Sequence, residues 1–392
     1  MVSDFSAGLY EREPPIPPGE YVRVSYEVLK SFTQELFVGA GLSLDDAEVV
    51  ADALVTADLM GISSHGVQRV RRYVDGLLGC CVNPRPRVRL VRDVGAVALM
   101  DADGGLGHPV GVKAMKIAVE KAKVFGVSLV LVRNSQHYGI AGYYALKAVE
   151  EGLIGVSVTN SEKLVAYVNT TSRVLGTNPV AIGVPRPKPP PILFDAATSV
   201  VPVGKIELYA KLGKTVREGW VLSQDGSLLS GDANKILNEI KNGRAAILPL
   251  GGLGEEFGGH KGSGLAFMID IIAGVLSGAA WGIHVGYTVG EKPANVGHAF
   301  AAINIESFMP TQEFHARIEK YIEEIKSLPK HPQADKIWLP GEKAWHTMQT
   351  RLKIGIPLHK NICEELNQIA KNLNIKNKLN CDNPTHRPSP HQ

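Results

Sequence analysis

This chain of 392 residues lacks most of the signatures that would declare a function at once. Its four cysteines, Cys80, Cys81, Cys363 and Cys381, form no C-x-x-C pair and have no histidines at zinc-finger spacing. That argues against a metal knuckle and against a disulfide framework. So few unpatterned cysteines fit a reducing cytoplasm, the expected location. There is no H-E-x-x-H or comparable ligand spacing, and no metal is expected. Lys and Arg together number 42 against 39 Asp and Glu, a net charge of +3 with no block of like charges, so no nucleic-acid partner is expected. The N-terminus carries Asp4, Glu11 and Glu13 and has no apolar core of a signal peptide. The one long apolar run, Leu265 to Trp281, contains Asp270 and many small residues. A membrane span needs roughly 20 apolar residues without a charge, so this run reads as a buried helix and no membrane partner is expected. No G-x-G-x-x-G follows a strand, so a dinucleotide has to be held by something other than the Rossmann fingerprint.

What is present has a clear order. Residues 1–20, with Pro14, Pro15, Pro17 and Pro18, read as a loose arm. From Ser25 the period is helical, with Leu29, Phe32, Leu36 and Phe37 on one face. Ser43 looks like the N-cap of a second helix that buries Ala47, Val50, Ala51 and Leu54. A third helix is expected from about His65 to Leu78. Beyond Pro84 the pattern alternates between strands (88–91, 96–101, 127–132, 154–159, 180–184, 192–194, 299–305) and helices (108–125, 143–151, 264–278). This alternation argues an α/β domain with a largely buried sheet. Helices over 312–325 and 361–373 follow, and the polar stretch 374–392 reads as a disordered tail.

Four constellations carry chemistry. In the segment Ser64–Tyr73, an advance of about 100° per residue places His65, Arg69, Arg72 and Tyr73 together and Val67, Val70 and Val74 opposite. A solvated amphipathic helix has the same geometry. A serine, a histidine, an arginine and a tyrosine together nevertheless suit recognition of an anion. His137 lies between an apolar strand and Gly139-Ile-Ala-Gly142, the strand-to-helix turn where α/β proteins place ligands. A helix N-terminus there keeps an imidazole neutral; the plain alternative is a turn histidine bonded to backbone. Asp195 ends a strand ahead of Ala196 and Ala197, where it can orient a histidine or a cofactor group, or cap a helix. The run 250–264 holds seven glycines and Lys261 at the mouth of a helix, a composition suited to a phosphate and equally to a flexible loop.

These segments occur in a fixed order with Gly176-Thr-Asn-Pro179, Leu248-Pro-Leu-Gly-Gly252, Gly259-His-Lys-Gly262, Asn295-Val-Gly-His298 and Pro340-Gly-Glu342. The set resembles the malate/L-lactate dehydrogenase family of the second type over roughly residues 21 to 370. The form of the 251–261 segment looks most like the archaeal-type malate dehydrogenases. The resemblance implies an α/β fold: a non-Rossmann, mixed-sheet domain binding NAD or NADP (86–308), and a helical subdomain formed by both chain ends (21–85 and 309–373). It also implies a homodimer. By the same resemblance His137 is the proton acceptor and His65 and Arg69 line the substrate site; Asp195 joins them as a candidate catalytic residue, and the residues themselves leave the choice between His65 and His137 for proton transfer open. Ser64 and Tyr73 join Arg69 around the substrate. Ser161, Asp195, Ala196, Ala197, Lys261, Asn295, Gly297, His298, Gly341 and Glu342 surround the nucleotide. The arm 1–20 and the tail 374–392 have no family counterpart, stretch 186–191 is unusually rich in proline, and the region after Trp220 is irregular.

The expected activity is therefore hydride transfer between a nicotinamide cofactor and a small 2-hydroxy or 2-keto acid, with malate and oxaloacetate foremost. One alternative keeps the fold and changes the substrate to lactate, sulfolactate, ureidoglycolate, a diketogulonate or a cyclic imine acid. Another is an NAD(P)-binding sensor without catalysis, which has no need of two histidines beside an arginine.

Overall fold

The computed structural model describes residues 9–13, 17–79, 81–290 and 292–382. Pro14, Pro15, Cys80 and residues 383–392, on which some of the expectations fall, lie outside the described residues.

The helical body forms as its capping residues direct. Ser25 accepts from the Val28 N–H at the start of helix Tyr26–Gly39, and Ser43 accepts from the Asp46 N–H at the start of helix Leu44–Leu59. Such caps satisfy amides that have no partner inside the helix. Leu29, Phe32, Leu36 and Phe37 face inward as their spacing predicts. The two ends of the chain close on this body. Strand Tyr21–Val24 pairs antiparallel with Ile356–His359. Helix Lys360–Asn372 packs on helix Val70–Leu78. One apolar cluster joins Leu29, Phe37, Leu54 and Tyr73 to Ile356 and Leu366. Burying such side chains contributes about 1.5–3 kcal/mol each, which is what holds the remote ends together.

Both ends are more ordered than their composition predicts. Residues 9–13 of the supposed arm lie against helix Glu342–Ile354, where Thr350 and Thr347 accept from the Tyr10 and Arg12 amides. Residues 374–382 of the supposed tail pack back on the body. Leu379 is buried, its amide and carbonyl are both bonded to the Asn367 side chain, and Cys381 forms a disulfide with Cys363. The expectation of no disulfide is thus corrected. The two cysteines are 18 apart in sequence, yet the returning tail brings their Cα atoms to 5.8 Å, a proximity no local spacing encodes.

The central sheet has seven strands in the order Arg89–Val94, Val97–Asp101, Val127–Ser135, Val296–Ile303, Ile154–Thr159, Val180–Val184, Ile192–Ala196. Only the pair 97–101 and 127–135 runs parallel; the other neighbours are antiparallel. Helices Gly107–Phe125 and Gly142–Glu150 cover one face, and the turn-rich region after helix Gly259–Asp270 packs on the other. A second sheet, unforeseen in the sequence, joins Leu228–Asp232, Thr215–Ser223, Ala245–Ile247, Val165–Ala166 and Arg173–Leu175. Its short, remote strands leave no clear alternation to read. Helices Val203–Lys211 and Ala233–Lys241 accompany it.

Candidate active site

A cavity of about 470 Å³ opens between the helical body, the C-terminal end of the central sheet and helix 203–211. That volume is typical of a small-molecule site. His65 and His137 both line it, with their rings stacked 5.8 Å apart at 17°.

The two histidines reach this cavity differently. The expected helix from His65 breaks into two short turns, Ser63–His65 and Val67–Arg69, and the α-helix begins only at Val70. Asp58 makes the break. Its carboxylate accepts from the Val67 N–H at 2.7 Å and lies where any side chain at Gly66 would stand. Burial pushes the Asp58 carboxyl up to about 7. His65 lines the cavity, and among the described residues its one side-chain hydrogen-bond partner is the Ser64 hydroxyl, 2.9 Å from Nδ1.

His137 follows strand 127–135 and precedes helix 142–150, as its sequence context predicts. Its Nδ1 accepts from the Gly139 N–H at 3.2 Å and lies 2.6 Å from the Tyr73 hydroxyl. Tyr73 is wholly buried and is not among the residues that line the cavity; its hydroxyl bonds His137. The next residue, Tyr138, is sandwiched between His298 and Tyr144, each 4.6 Å away between ring centroids.

The electrostatics favour neutral rings. Burial, then the charges of Arg69 and Arg72, push His65 down to about 3. Burial, then Arg72 and neighbouring groups including His65 and Arg69, hold His137 well below its ordinary value. Both arginines are themselves held. Arg69 donates to the Ser64 carbonyl and pairs with Glu207 at 2.5 Å, and Arg72 pairs with Glu162 at 2.9 Å. Arg69 is buried against helix 203–211, behind the residues that line the cavity. A side chain at Gly204 would meet its guanidinium, so that helix can approach only through a glycine. Glu207, Glu162 and Asp58 were missed because their partners lie far away in sequence and only folding pairs them.

Asp195 caps a helix, but not the next one in sequence. Its carboxylate accepts from the Gly142 N–H at 2.8 Å, supplying the cap that Ala141 cannot. Burial raises it to about 6. Asp195, Ala196 and Ala197 line the cavity with Ser161 and Thr177. Two small side chains and two hydroxyls at the end of a sheet suit a dinucleotide, because they leave backbone and polar atoms within its reach.

The other residues expected around the nucleotide are placed elsewhere than on the lining of this cavity. Asn295, Gly297 and His298 are not among the residues that line the cavity. Asn295 accepts from the Asn134 N–H, Gly297 is bonded to Asn160, and His298 bonds Thr159 and Ser135. Lys261 and His260 are exposed on the first turn of helix 259–270, away from the cavity lining. Gly341 borders a separate apolar cavity of about 330 Å³, and Glu342 is buried with Lys326 and the Leu339 amide. Among the described residues no three metal-ligating side chains converge.

Comparison with known proteins agrees with this arrangement. The family model described as malate/L-lactate dehydrogenase matches residues 24–367. A malate dehydrogenase of Pyrococcus abyssi is 50% identical over 356 residues, covering 91% of this chain and 96% of that protein. A malate/(S)-sulfolactate dehydrogenase of Methanothermus fervidus is 35% identical, covering 90% and 98%. The solved structure of malate dehydrogenase from Pyrococcus horikoshii superposes with a TM-score of 0.86 at 46% identity, covering 95% of this chain and all of that one. With a family model spanning most of its length and relatives matched almost end to end, the chain belongs to the malate/L-lactate dehydrogenase family.

Proposed function

We propose that this protein is an NAD(P)-dependent dehydrogenase that interconverts malate and oxaloacetate. The observation that carries the reading is the pair of neutral, stacked histidines facing one cavity, with Arg69 packed directly behind them. Relatives at 50% identity bear the name malate dehydrogenase.

A nicotinamide dinucleotide, when bound, supplies the acceptor for the hydride that leaves C2. Ser161, Asp195, Ala196 and Ala197 would hold it, without a Rossmann fingerprint. The acid–base work falls to the histidines. Because His137 Nδ1 accepts from the Gly139 N–H, a neutral His137 carries its proton on Nε2 and is a donor toward the substrate oxygen. His65 has no such constraint, since the Ser64 hydroxyl can donate to or accept from Nδ1. His65 is therefore free to leave Nε2 unprotonated and take the hydroxyl proton. This favours His65 over His137 as proton acceptor, the place that the family resemblance gives to His137. Arg69 holds the C1 carboxylate in a two-pronged hydrogen bond, for which it must first release Glu207.

A homodimer is part of the same proposal. Leu265, Phe267, Met268, Val275 and Leu276 are exposed along helix 259–270 and the turns after it, and Phe257 ahead of them is 81% exposed. Exposed apolar side chains concentrated in one segment call for cover, and a second copy supplies it. Sedimentation at the mass of one chain, about 42 kDa, would contradict the dimer.

The test is a substrate panel. Oxaloacetate, pyruvate, sulfopyruvate and a cyclic imine acid are each assayed with NADH and NADPH. Turnover greatest on oxaloacetate supports the proposal. Turnover only on the imine acid, with none on oxaloacetate, would move the protein to the imine reductases, among which a Pseudomonas putida relative is 30% identical. Dinucleotide binding with no turnover on any substrate would favour the sensor.

A further inference from the structure

The segment 9–13 is fastened to the body at three points. The Tyr10 and Arg12 amides donate to Thr350 and Thr347, and the Glu11 carboxylate lies 2.9 Å from Arg23 and 3.8 Å from Arg351. Thr347, Thr350 and Arg351 are spaced i, i+3, i+4, so they form one face of helix 342–354. Between these ties the aliphatic stem of Arg12 lies on Gly61, and Arg12 lines the cavity. Arg23, Arg69, Arg72 and Arg351 each have a carboxylate partner. Arg12 has no ion pair among the described residues. A guanidinium delivered this deliberately into a cavity, with its charge unspent, is an anion site in need of an anion.

The position of Arg12 says which anion. The arginines felt at both His65 and His137 are Arg69 and Arg72, whereas the one felt at Asp195 is Arg12. Arg12 lines the same cavity as Ser161, Asp195, Ala196 and Ala197, the residues proposed to hold the dinucleotide. Lys205 and Lys214 line the same cavity and add to its positive character, opposed there by Glu13. We infer that Arg12, carried in by the N-terminal segment, binds a phosphate of the nicotinamide dinucleotide, which makes residues 9–13 a wall of the cofactor site. The inference rests on the proposed dinucleotide-dependent function. A phosphate suits the group because its oxygens match the planar fork in pairs. The pyrophosphate and the 2′-phosphate of NADP share this chemistry, and the experiment separates them.

Dissociation constants for NADH and NADPH are measured by fluorescence quenching on the wild-type, Arg12→Gln and Arg12→Lys proteins. Arg12→Gln should weaken binding roughly five- to twentyfold, as expected for one partly exposed charged contact. Arg12→Lys should fall between. The kcat at saturating cofactor and the KM for oxaloacetate should stay near wild type. Equal loss for both dinucleotides places Arg12 on the pyrophosphate, and loss for NADPH alone places it on the 2′-phosphate. Unchanged affinity for both dinucleotides overturns the inference, as does a loss confined to the KM for oxaloacetate. Wild-type protein that binds neither dinucleotide overturns the proposed function itself, and this inference with it. Arg12 is exposed, so the variants should fold, which equal thermal midpoints would verify.

Discussion

The segments Ser63–Arg69 and Asn134–Gly139 each present a histidine to the same cavity, and they are held in opposite ways. The second is fixed throughout: the Asn134 amide is bonded to Asn295, His137 to Tyr73 and Gly139, and Tyr138 is wedged between His298 and Tyr144. The first is anchored at its hinge by Asp58 but leaves its working groups exchangeable. Among the described residues His65 has a rotatable hydroxyl as its one side-chain hydrogen-bond partner, and Arg69 is occupied by Glu207, a carboxylate on another element. A fixed imidazole suits the polarising of an oxygen, because orientation is what polarisation needs. A histidine free to change tautomer suits proton transfer, and an arginine already gripping a carboxylate is preshaped for another one.

If the freer segment does the proton transfer, His65→Gln should lower kcat roughly 10²–10⁴-fold, the usual cost of losing a general acid or base. Steady-state rates in both directions check this. Arg69→Lys and Arg69→Ala should then resemble each other, each losing about ten- to a hundredfold in kcat/KM for oxaloacetate, because a lysine cannot copy the planar fork. NADH affinity should hardly change in either variant; a parallel fall in that affinity would assign Arg69 to the cofactor. Tyr73→Phe removes one tie from the fixed segment and should cost about two- to tenfold in kcat, the worth of one neutral hydrogen bond. The smallest effect should have the opposite sign. Glu207→Gln removes the internal competitor for Arg69 and should lower the KM for oxaloacetate about two- to fivefold, in line with a modest ion pair. A raised KM would mean that Glu207 holds Arg69 in its working position.

The same contrast explains what the sequence conveys. Features encoded by neighbours along the chain are legible: the helical period from Ser25, the Ser43 cap, the apolar strands at 127–132 and 154–159, and His137 at a strand-to-helix turn. Features made by remote pairing are not. Asp58 breaking the helix at Gly66, Glu207 taking Arg69, Asp195 capping a helix that starts 53 residues earlier, and the 363–381 disulfide all depend on the folded chain. Composition also misleads at both ends. Proline and polar residues suggest a loose arm and tail, yet a few well-placed groups, Glu11 and Leu379 among them, are enough to dock residues 9–13 and 374–382.

The division of labour between the two histidines is tested most directly by the pH dependence of kcat/KM for oxaloacetate reduction, in wild type, His65→Gln and His137→Gln. The sign follows from the lowered pKa. With His65 pushed down to about 3, only its scarce protonated form can donate to oxaloacetate, and that form becomes about tenfold rarer with each pH unit above its pKa. Wild type should therefore lose about tenfold per pH unit between pH 5 and 8, while malate oxidation, which needs the neutral ring, stays flat. His137→Gln should be slower yet keep that slope, and His65→Gln should be slow and lack it. A slope retained in His65→Gln and abolished in His137→Gln would contradict the account and return the proton to His137.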